Sequence, residues 1–580
     1  MAFAELLDRA GGVGLFQALQ VFTLFLPSVL VPSHMLIENF SAAVPSHRCW
    51  VPLLDNSTAQ AGVPGALGPK DFLTVSIPPG PNNEPHRCRR FRQPQWQLLD
   101  PNGTATNWSE AATEPCVDGW VYDRSTFTST FVSEWDLVCD HKGLKPIGQS
   151  LYMTGLLIGS FSWGLLSNRF GRKWILNLCC LQVALANIGM IFVSHFFIYC
   201  GLRVLSAFAI SGIIMTSGML LVEWTTTRRR AVTMTILGCF YGLGQMALGA
   251  LAFTLRDWRT LQVAVSTPFF AIFLICWWLP ESARWLIITG KPEQGLQELH
   301  KVAKINGHKE ATKSLTIEVL MSSMEEEMTS AKGRRSVLEL FLVPTLRWRT
   351  CIMSLVWFSL EPWTYWPGPS PPSCSVSWAA AQPWPASRLW LASPYWPTNW
   401  SHKADRAPPR ADPTVTLFLC PDWQTLRTVF AVLGKGCFGI IFSCVSVYKP
   451  ELYPTSLRMT ADGFLQSVGR LGTVIDPLIR MTQQSLPLLV PVVYSALPIT
   501  SCLVLLLFLP ETQGFPLPDT IQDLENQNSR PRQMNRPFLS DPLGRDHAIL
   551  TSSLEGTEVR KRSSGLFHGR NHHYALLPHL

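Results

Sequence analysis

Charged residues are scarce in this chain. Of its 580 residues, 15% are Asp, Glu, Lys or Arg, whereas 47% are hydrophobic. Soluble proteins average about 25% charged residues, so this composition argues against a disordered protein and against an ordinary soluble enzyme. The net charge of +8 is spread over short clusters, which is unlike a nucleic-acid-binding surface. The sequence also lacks a recognisable catalytic triad, phosphate loop or metal-ligand cluster, so we expect no enzymatic activity, no metal and no cofactor.

The hydrophobic residues form runs of about 20, the length that a helix needs to cross a bilayer. We therefore predict an all-α, polytopic membrane protein. The predicted spans are 16–35, 147–166, 174–194, 197–222, 232–254 and 262–279 in the first half, and 427–447, 461–479 and 487–509 in the second. A shorter apolar stretch, 350–360, precedes these last three. Arg203, near the start of the fourth span, is expected to extend its head group towards the membrane surface.

Basic residues in the short loops predict the orientation, because such loops are enriched in Lys and Arg on the cytoplasmic side. The clusters are Arg169, Arg172 and Lys173, then Arg228, Arg229 and Arg230, then Lys449 and Arg458. Both termini are then cytoplasmic, and the polar loop 40–145 lies outside. That loop carries Cys49, Cys88, Cys116 and Cys139, for which three disulfide pairings are possible. It also carries glycosylation acceptors at Asn56, Asn102 and Asn107.

We divide the chain into four parts. Residues 1–280 form an N-terminal six-helix bundle that includes the loop 40–145. A cytoplasmic loop (281–348), a C-terminal bundle (349–511) and a cytoplasmic tail (512–580) follow. One segment of the second bundle, 361–415, has an aberrant composition, with 12 of the 44 prolines, 7 of the 22 tryptophans and no Phe, Ile or Met. This composition is typical of out-of-frame translation or a mis-spliced exon, and the alternative is a natural Pro/Trp-rich insertion.

Several motifs resemble those of solute carrier family 22, within the major facilitator superfamily. They are GLLSNRFGRK (164–173), PESARWL (280–286), YKPELYPTSLR (448–458), PET (510–512), ENFS (38–41) and HRCW (47–50). FRQPQW (91–96) and VEWT (222–225) resemble the organic anion branch of that family. The resemblance implies twelve helices in two bundles, with a substrate site between the bundles at mid-membrane and transport by alternating access.

Three departures from the family pattern stand out. Asn168 occupies a motif position where the superfamily usually has Asp. The region of helices 8 and 9 coincides with the aberrant segment, so these helices are expected to be disrupted. The chain ends Leu577-Pro578-His579-Leu580, without the ending that PDZ domains capture in similar transporters.

Two cations lie within apolar runs, Arg470 and Lys435. A cation at membrane depth costs about 2.5–3.5 kcal/mol, so by default it faces a cavity and has a function. We predict that both attract an anionic substrate, in line with the basic residue that anion carriers of the family have at the Arg470 position. The alternative is that Arg470 pairs only with a helix carboxylate. By family position, the other candidate substrate contacts are Phe240, Tyr241, Gln245, Trp357, Phe358, Gln466 and Met35, with ordinary packing as the alternative.

Charged residues of the loop motifs, together with Asn168, are candidates for gates between the bundles. Their contacts would form in one transport state only and so bias the conformational equilibrium. The candidates are Asn168, Arg169, Arg172, Lys173, Glu223, Arg284, Glu451 and Arg458. The alternative is a set of solvated charges that only orient the protein in the membrane.

The resemblance favours an organic anion exchanger of the plasma membrane, which moves urate or sulfate-conjugated steroids against a counter-anion. Its expected partners are that anion, the counter-anion and the lipid bilayer. The alternative is a non-transporting or misfolded family member, because of the segment 361–415. A cation carrier is disfavoured by Arg470.

Overall fold

The structure is a computed structural model. It describes residues 2–361 apart from 13, 57–67, 81–83, 100–111, 309–314 and 332–336, then 448–509 apart from 455, 456 and 482–488, with residue 524 and a few single positions between 433 and 445. The predictions for Lys435, Asn102, Asn107, the segment 362–415, the span 427–447 as a whole and nearly all of the tail 512–580 lie outside these residues.

The described residues are mainly helical, with four short strands. The helices are α1 (Ala2–Arg9), α2 (Leu15–Leu36), α3 (Glu38–Ser41), α4 (Pro52–Asp55), α5 (Pro69–Ser76), α6 (Phe131–Glu134), α7 (Leu144–Phe170), α8 (Arg172–Ile191), α9 (Phe196–Trp224), α10 (Thr227–Thr254), α11 (Trp258–Ser266), α12 (Pro268–Trp277), α13 (Ala283–Ile288), α14 (Pro292–Ile305), α15 (Ile317–Ala331), α16 (Glu339–Leu342), α17 (Pro344–Leu360), α18 (Arg458–Met481) and α19 (Leu489–Phe508). The strands are β1 (His47–Cys49), β2 (Arg89–Phe91), β3 (Thr113–Pro115) and β4 (Trp120–Tyr122).

All six apolar runs predicted before residue 280 are helical. The sixth is divided at Thr267 into α11 and α12, where Pro268 starts the second part. Among the described residues, five helical segments are long and apolar enough to cross a membrane, namely Leu15–Ser41, Arg172–Ile191, Phe196–Trp224, Val232–Thr254 and Trp258–Trp277. The packed interior of this half is formed mainly by Leu, Ile, Val, Ala and Cys side chains of α2, α7, α8, α9 and α12.

The loop 40–145 is a small disulfide-bonded unit, which adds strands to a chain predicted as all-α. Strand β1 pairs antiparallel with β4, and β2 pairs antiparallel with β3. Disulfides join Cys49 to Cys116 and Cys88 to Cys139, with Cα–Cα distances of 5.0 and 5.6 Å. The structure thereby selects one of the three pairings that the sequence left open, because the two strand pairs bring these cysteines together.

We expect peptide mapping under non-reducing conditions to recover Cys49 linked to Cys116 and Cys88 linked to Cys139. The geometric reason is that disulfide bonding requires Cα atoms about 4.4–6.8 Å apart, which both pairs satisfy. Digestion of the reduced and alkylated protein provides the control. Recovery of a Cys49–Cys88 or Cys49–Cys139 peptide from the native protein would contradict this arrangement.

Arg203 does not extend to the membrane surface, so that prediction is wrong. Its side chain is buried in α9, and Nη2 lies 2.9 Å from Oε2 of Glu38 in α3. The guanidinium also lies 4.5 Å from the ring centroid of Tyr152 in α7. A buried cation needs such a counter-charge, and here the pair joins three helices of the first half.

The described part of the second half is built on α17, which contacts α18 and α19. The apolar stretch 350–360 is too short to span a membrane by itself, but the helix begins at Pro344 and has 17 residues. At 1.5 Å per residue, it is about 25 Å long, at the lower limit for a span. Glu361 follows it in helical geometry and is buried. The first residue of the aberrant segment therefore belongs structurally with α17. The proposed domain boundaries themselves stay predictions.

Candidate functional site

The two halves of the chain meet where α7 packs antiparallel against α18. Gly164 and Gly463 face each other so closely that a Cβ added at Gly463 would lie 2.8 Å from Gly164 Cα. Small residues at such a crossing let helix backbones approach. Hydrogen bonds join the same helices at both ends: Ser150 Oγ donates to Val474 O at 3.1 Å, and Asn168 Nδ2 donates to Thr460 Oγ1 at 2.9 Å. We call this contact between α7 and α18 the seam. It places Arg470 and Gln466, both on α18, near the interface of the two halves.

Arg470 is buried in α18, with 5% of its surface exposed. Its Nη1 lies 2.8 Å from Oε1 of Glu361, whose residue exposure is 1%. Gly469 allows this approach, because a Cβ there would lie 3.3 Å from Cβ and Cγ of Glu361. The alternative interpretation of Arg470, a pair with a helix carboxylate, therefore describes the structure as it stands.

A second buried ion pair lies beside the first. Lys449 Nζ contacts Asp462 Oδ1, and Gln466 Nε2 donates to Asp462 Oδ2 at 3.1 Å. The ammonium of Lys449 also lies 4.5 Å from the ring centroid of Trp357, within the range of a cation–π interaction. We call Glu361, Lys449, Asp462 and Arg470 the charge cluster; its two cations and two carboxylates compensate each other.

Both aromatic candidates of the second half lie on α17, and Trp357 borders the charge cluster. Trp357 is buried, with 3% of its surface exposed, and its carbonyl oxygen would lie 3.3 Å from a Cβ at Gly469. Phe358 is half-buried on the same helix. The structure thus brings Trp357, Gln466 and Arg470 together around the charge cluster.

The candidates of the first half form a separate group on α2 and α10. Tyr241 Oη donates to Met35 Sδ at 3.4 Å. Phe240 stacks on Phe25 of α2, with ring centroids 4.5 Å apart and an interplanar angle of 24°. Gln245 is half-buried on α10. Met35 and Tyr241 touch directly, and the group brings sulfur, phenol and amide groups to the contact between α2 and α10.

The basic motif at the α7–α8 junction forms a buried network within the first half. Arg172 Nη2 lies 3.0 Å from Oε1 of Glu223, and both side chains are about 5% exposed or less. The Glu281 carboxylate accepts hydrogen bonds from the backbone N–H of Arg172 and Lys173 at 3.0 and 3.1 Å. These are first-turn N–H groups of α8, which lack partners within the helix. Burial raises the pKa of Glu281 above its usual value, although these N–H groups and Arg172 favour the charged form.

The other gating candidates occupy different positions. Trp285 Nε1 donates to Asn168 O at 3.0 Å, so Asn168 contacts both halves through its backbone and its side chain. Arg458 is buried and donates to Pro450 O at 3.1 Å and Tyr453 O at 3.3 Å, within its own half. The remaining candidates differ in exposure: Arg284 is buried with its guanidinium 5.6 Å from the Phe3 ring, Glu451 is half-buried, and Arg169 is exposed.

Several contact residues escaped sequence analysis, above all Glu361, Asp462 and Glu281. Glu361 directly follows the apolar stretch 350–360, and nothing in its sequence position indicates a buried counter-ion. Asp462 and Gln466 are four residues apart on a predicted helix, which is the one sequence signal that could have found the pair. Asn56, the glycosylation acceptor within the described residues, is exposed after α4.

One group near the disulfides could suggest a metal site. His47 Nε2 lies 3.9 Å from Cys139 Sγ, and Cys88 is also close. Both sulfurs are joined to each other in the Cys88–Cys139 disulfide. The group therefore offers a single imidazole, too few ligands for a structural metal.

Comparison with known proteins identifies the class of this fold. The structure matches that of the proton:xylose symporter XylE with a TM-score of 0.56 at 14% identity, covering 88% of this chain and 99% of that one. The family model "Sugar (and other) transporter" matches residues 136–364. The protein therefore has the fold of the major facilitator superfamily, and it is a multi-pass membrane protein.

Several curated proteins share far more sequence identity with this chain than the symporter does. The human solute carrier family 22 member 11 is 60% identical over 543 residues, covering 92% of this chain and 98% of that protein. Human solute carrier family 22 member 12 is 47% identical over 535 residues, covering 91% and 96%. A steroid transmembrane transporter of Microcebus murinus is 43% identical over 543 residues, covering 92% and 98%. The chain belongs to solute carrier family 22, as its motifs predicted.

We expect Gly171→Ala to lower the melting temperature of the purified protein more than Gly290→Ala does. Both glycines have positive φ, +94° and +86°, where an L side chain costs about 1–3 kcal/mol. A Cβ at Gly171 would in addition lie 2.4 Å from Glu281 Oε2, whereas nothing lies within 4 Å at Gly290. Equal decreases in melting temperature would contradict a role for the Glu281 contact in holding the α7–α8 junction.

Proposed function

We propose that this protein transports organic anions across the plasma membrane, of the urate or sulfate-conjugated steroid type, by alternating-access exchange against a counter-anion. The motif end of the first half, at the α7–α8 junction, faces the cytoplasm in this proposal. The observation that carries it is the buried guanidinium of Arg470 on α18, the helix that forms the seam with α7.

Arg470 supports this function through charge and geometry. A guanidinium presents a planar set of donors that matches carboxylate and sulfate groups, and it stays charged when buried. Its attraction for an anion is strengthened where water is excluded. Trp357 and Phe358 on α17 and Phe240 and Tyr241 on α10 suit the apolar body of an aromatic or steroidal anion. Gln245, Gln466, Met35 and Lys435 are the proposed further contacts.

The exchange mechanism requires the two halves to separate at one end of the seam at a time. The Asn168–Thr460 hydrogen bond crosses the halves at the motif end, and the Ser150–Val474 bond crosses them at the other end. Neither involves two charged groups, so each can open at modest cost, since a neutral hydrogen bond contributes about 0.5–1.5 kcal/mol net. The proposed gating residues Arg169, Arg172, Lys173, Glu223, Arg284, Glu451 and Arg458 would shape the motif end in the two states.

The test is uptake of a labelled sulfated steroid by cells that express the protein. We expect Arg470→Ala to reduce uptake per surface molecule about tenfold or more, because a hydrogen bond to a charged group contributes about 1.5–3 kcal/mol. Arg470→Lys should retain part of the activity, since it keeps the charge but loses the planar donor set. Surface biotinylation measures the amount of protein at the plasma membrane.

Arg203→Ala is the matched control, because it breaks another buried Arg–Glu pair, with an N–O distance of 2.9 Å against 2.8 Å for Arg470. It should impair folding without a selective loss of uptake per surface molecule. Wild-type uptake no greater than in untransfected cells, with immature glycans on the retained protein, would favour a non-transporting family member instead. Equal uptake by wild type and Arg470→Ala would remove Arg470 from the substrate site.

A further inference from the structure

The carboxylate of Glu361 occupies the place on Arg470 that an anionic substrate would take. Its Oε1 lies 2.8 Å from Arg470 Nη1, and both residues are at least 95% buried. The surrounding backbone is fitted to this contact, because a side chain at Gly469 would press on Cβ and Cγ of Glu361. The pair is therefore built into the packing of α17 against α18.

The ion pair between Arg470 and Glu361 belongs to a cluster whose charges already balance. The other cation of the charge cluster, Lys449, already contacts Asp462, which also accepts from Gln466. Within the four-residue cluster, the charges sum to zero. An anion that arrives at Arg470 would therefore face Glu361 at short range, and like charges in a low-dielectric site repel strongly.

We propose that Glu361 is a specificity-determining residue, an internal anion that competes with the substrate for Arg470. This inference rests on the proposed function, since it concerns the same site. An incoming anion binds by displacing the Glu361 carboxylate, and the guanidinium exchanges one oxyanion for another. The apparent dissociation constant is then the intrinsic constant divided by the fraction of molecules in which Arg470 is released.

Competition of this kind selects among substrates. A sulfate or carboxylate can make two parallel hydrogen bonds to a guanidinium, so it can replace the contacts that Glu361 gives up. An anion with a single acceptor cannot, and it is excluded even when its apolar body fits the aromatic side chains. The Glu361 carboxylate thus lowers the affinity for weakly bound anions more than for anions that can displace it. A repulsive group in a binding site confers specificity in this way.

The experiment measures ligand-dependent thermal unfolding of the purified full-length protein, titrated with estrone sulfate. Glu361→Gln keeps the shape of the side chain and removes its charge. We expect it to bind estrone sulfate about tenfold more tightly than wild type, which corresponds to Arg470 being released in about one molecule in ten. Glu361→Asp, which keeps the charge on a shorter side chain, should lie between the two.

Glu38→Gln is the matched control, because Glu38 also forms a buried pair with an arginine, Arg203, at 2.9 Å. It should destabilise the protein to a similar degree without tighter ligand binding. In Glu361→Gln, the bound sulfate should restore much of the lost melting temperature, since it supplies the missing counter-charge. If Glu361→Gln does not fold, Glu361→Asp is tested in its place. An affinity of that variant for estrone sulfate equal to that of the wild type would overturn the inference.

The outcomes separate the two proposals. Equal affinities in wild type and Glu361→Gln, with binding lost in Arg470→Ala, would overturn the role of Glu361 and leave the anion site intact. If estrone sulfate stabilises neither the wild type nor any variant, Glu361→Gln included, both the proposed function and the role of Glu361 are overturned. Tighter binding in Glu38→Gln as well would show that loosening of the fold, rather than competition at Arg470, explains the effect.

Discussion

A buried cation needs a counter-charge, and this requirement organises the described part of the molecule. Three guanidinium groups are placed at depth in separate regions: Arg172 with Glu223, Arg203 with Glu38, and Arg470 with Glu361. Each pair joins residues from different parts of the chain and therefore ties helices together. Removing one partner from such a pair leaves an uncompensated charge, at a cost of about 3–5 kcal/mol.

The three pairs nevertheless have different surroundings. Arg172 lies at the α7–α8 junction, where Glu281 holds the start of α8, and Arg203 is enclosed by aromatic rings of α7 and α9. Arg470 alone among the three is on α18, the helix that meets the other half along a glycine crossing. The same chemistry that stabilises the fold in two places therefore lies, in the third, at the contact between the two halves.

In the proposed function, the charge cluster lets a carrier of anions exist without an uncompensated positive charge in its core. When each cation has an internal carboxylate, the empty state is electrically balanced within the cluster. Under the proposed competition with Glu361, a substrate is bound by exchange of one anion for another, and the energy of desolvating the cation need not be supplied again. Such an arrangement suits a protein that must return through an unloaded or counter-ion-loaded state.

The sequence by itself determined the helices of the first half, the membrane class and the family, because apolar runs of about 20 residues and the loop motifs are local signals. It also singled out Arg470 as a buried cation from its position within an apolar run, and the structure places that side chain in the interior. It did not determine which cysteines pair, that Arg203 meets Glu38, or that Glu361 neutralises Arg470. These contacts join residues 67, 165 and 109 positions apart in the chain, and only the packing of strand pairs and helices decides which partners lie within reach.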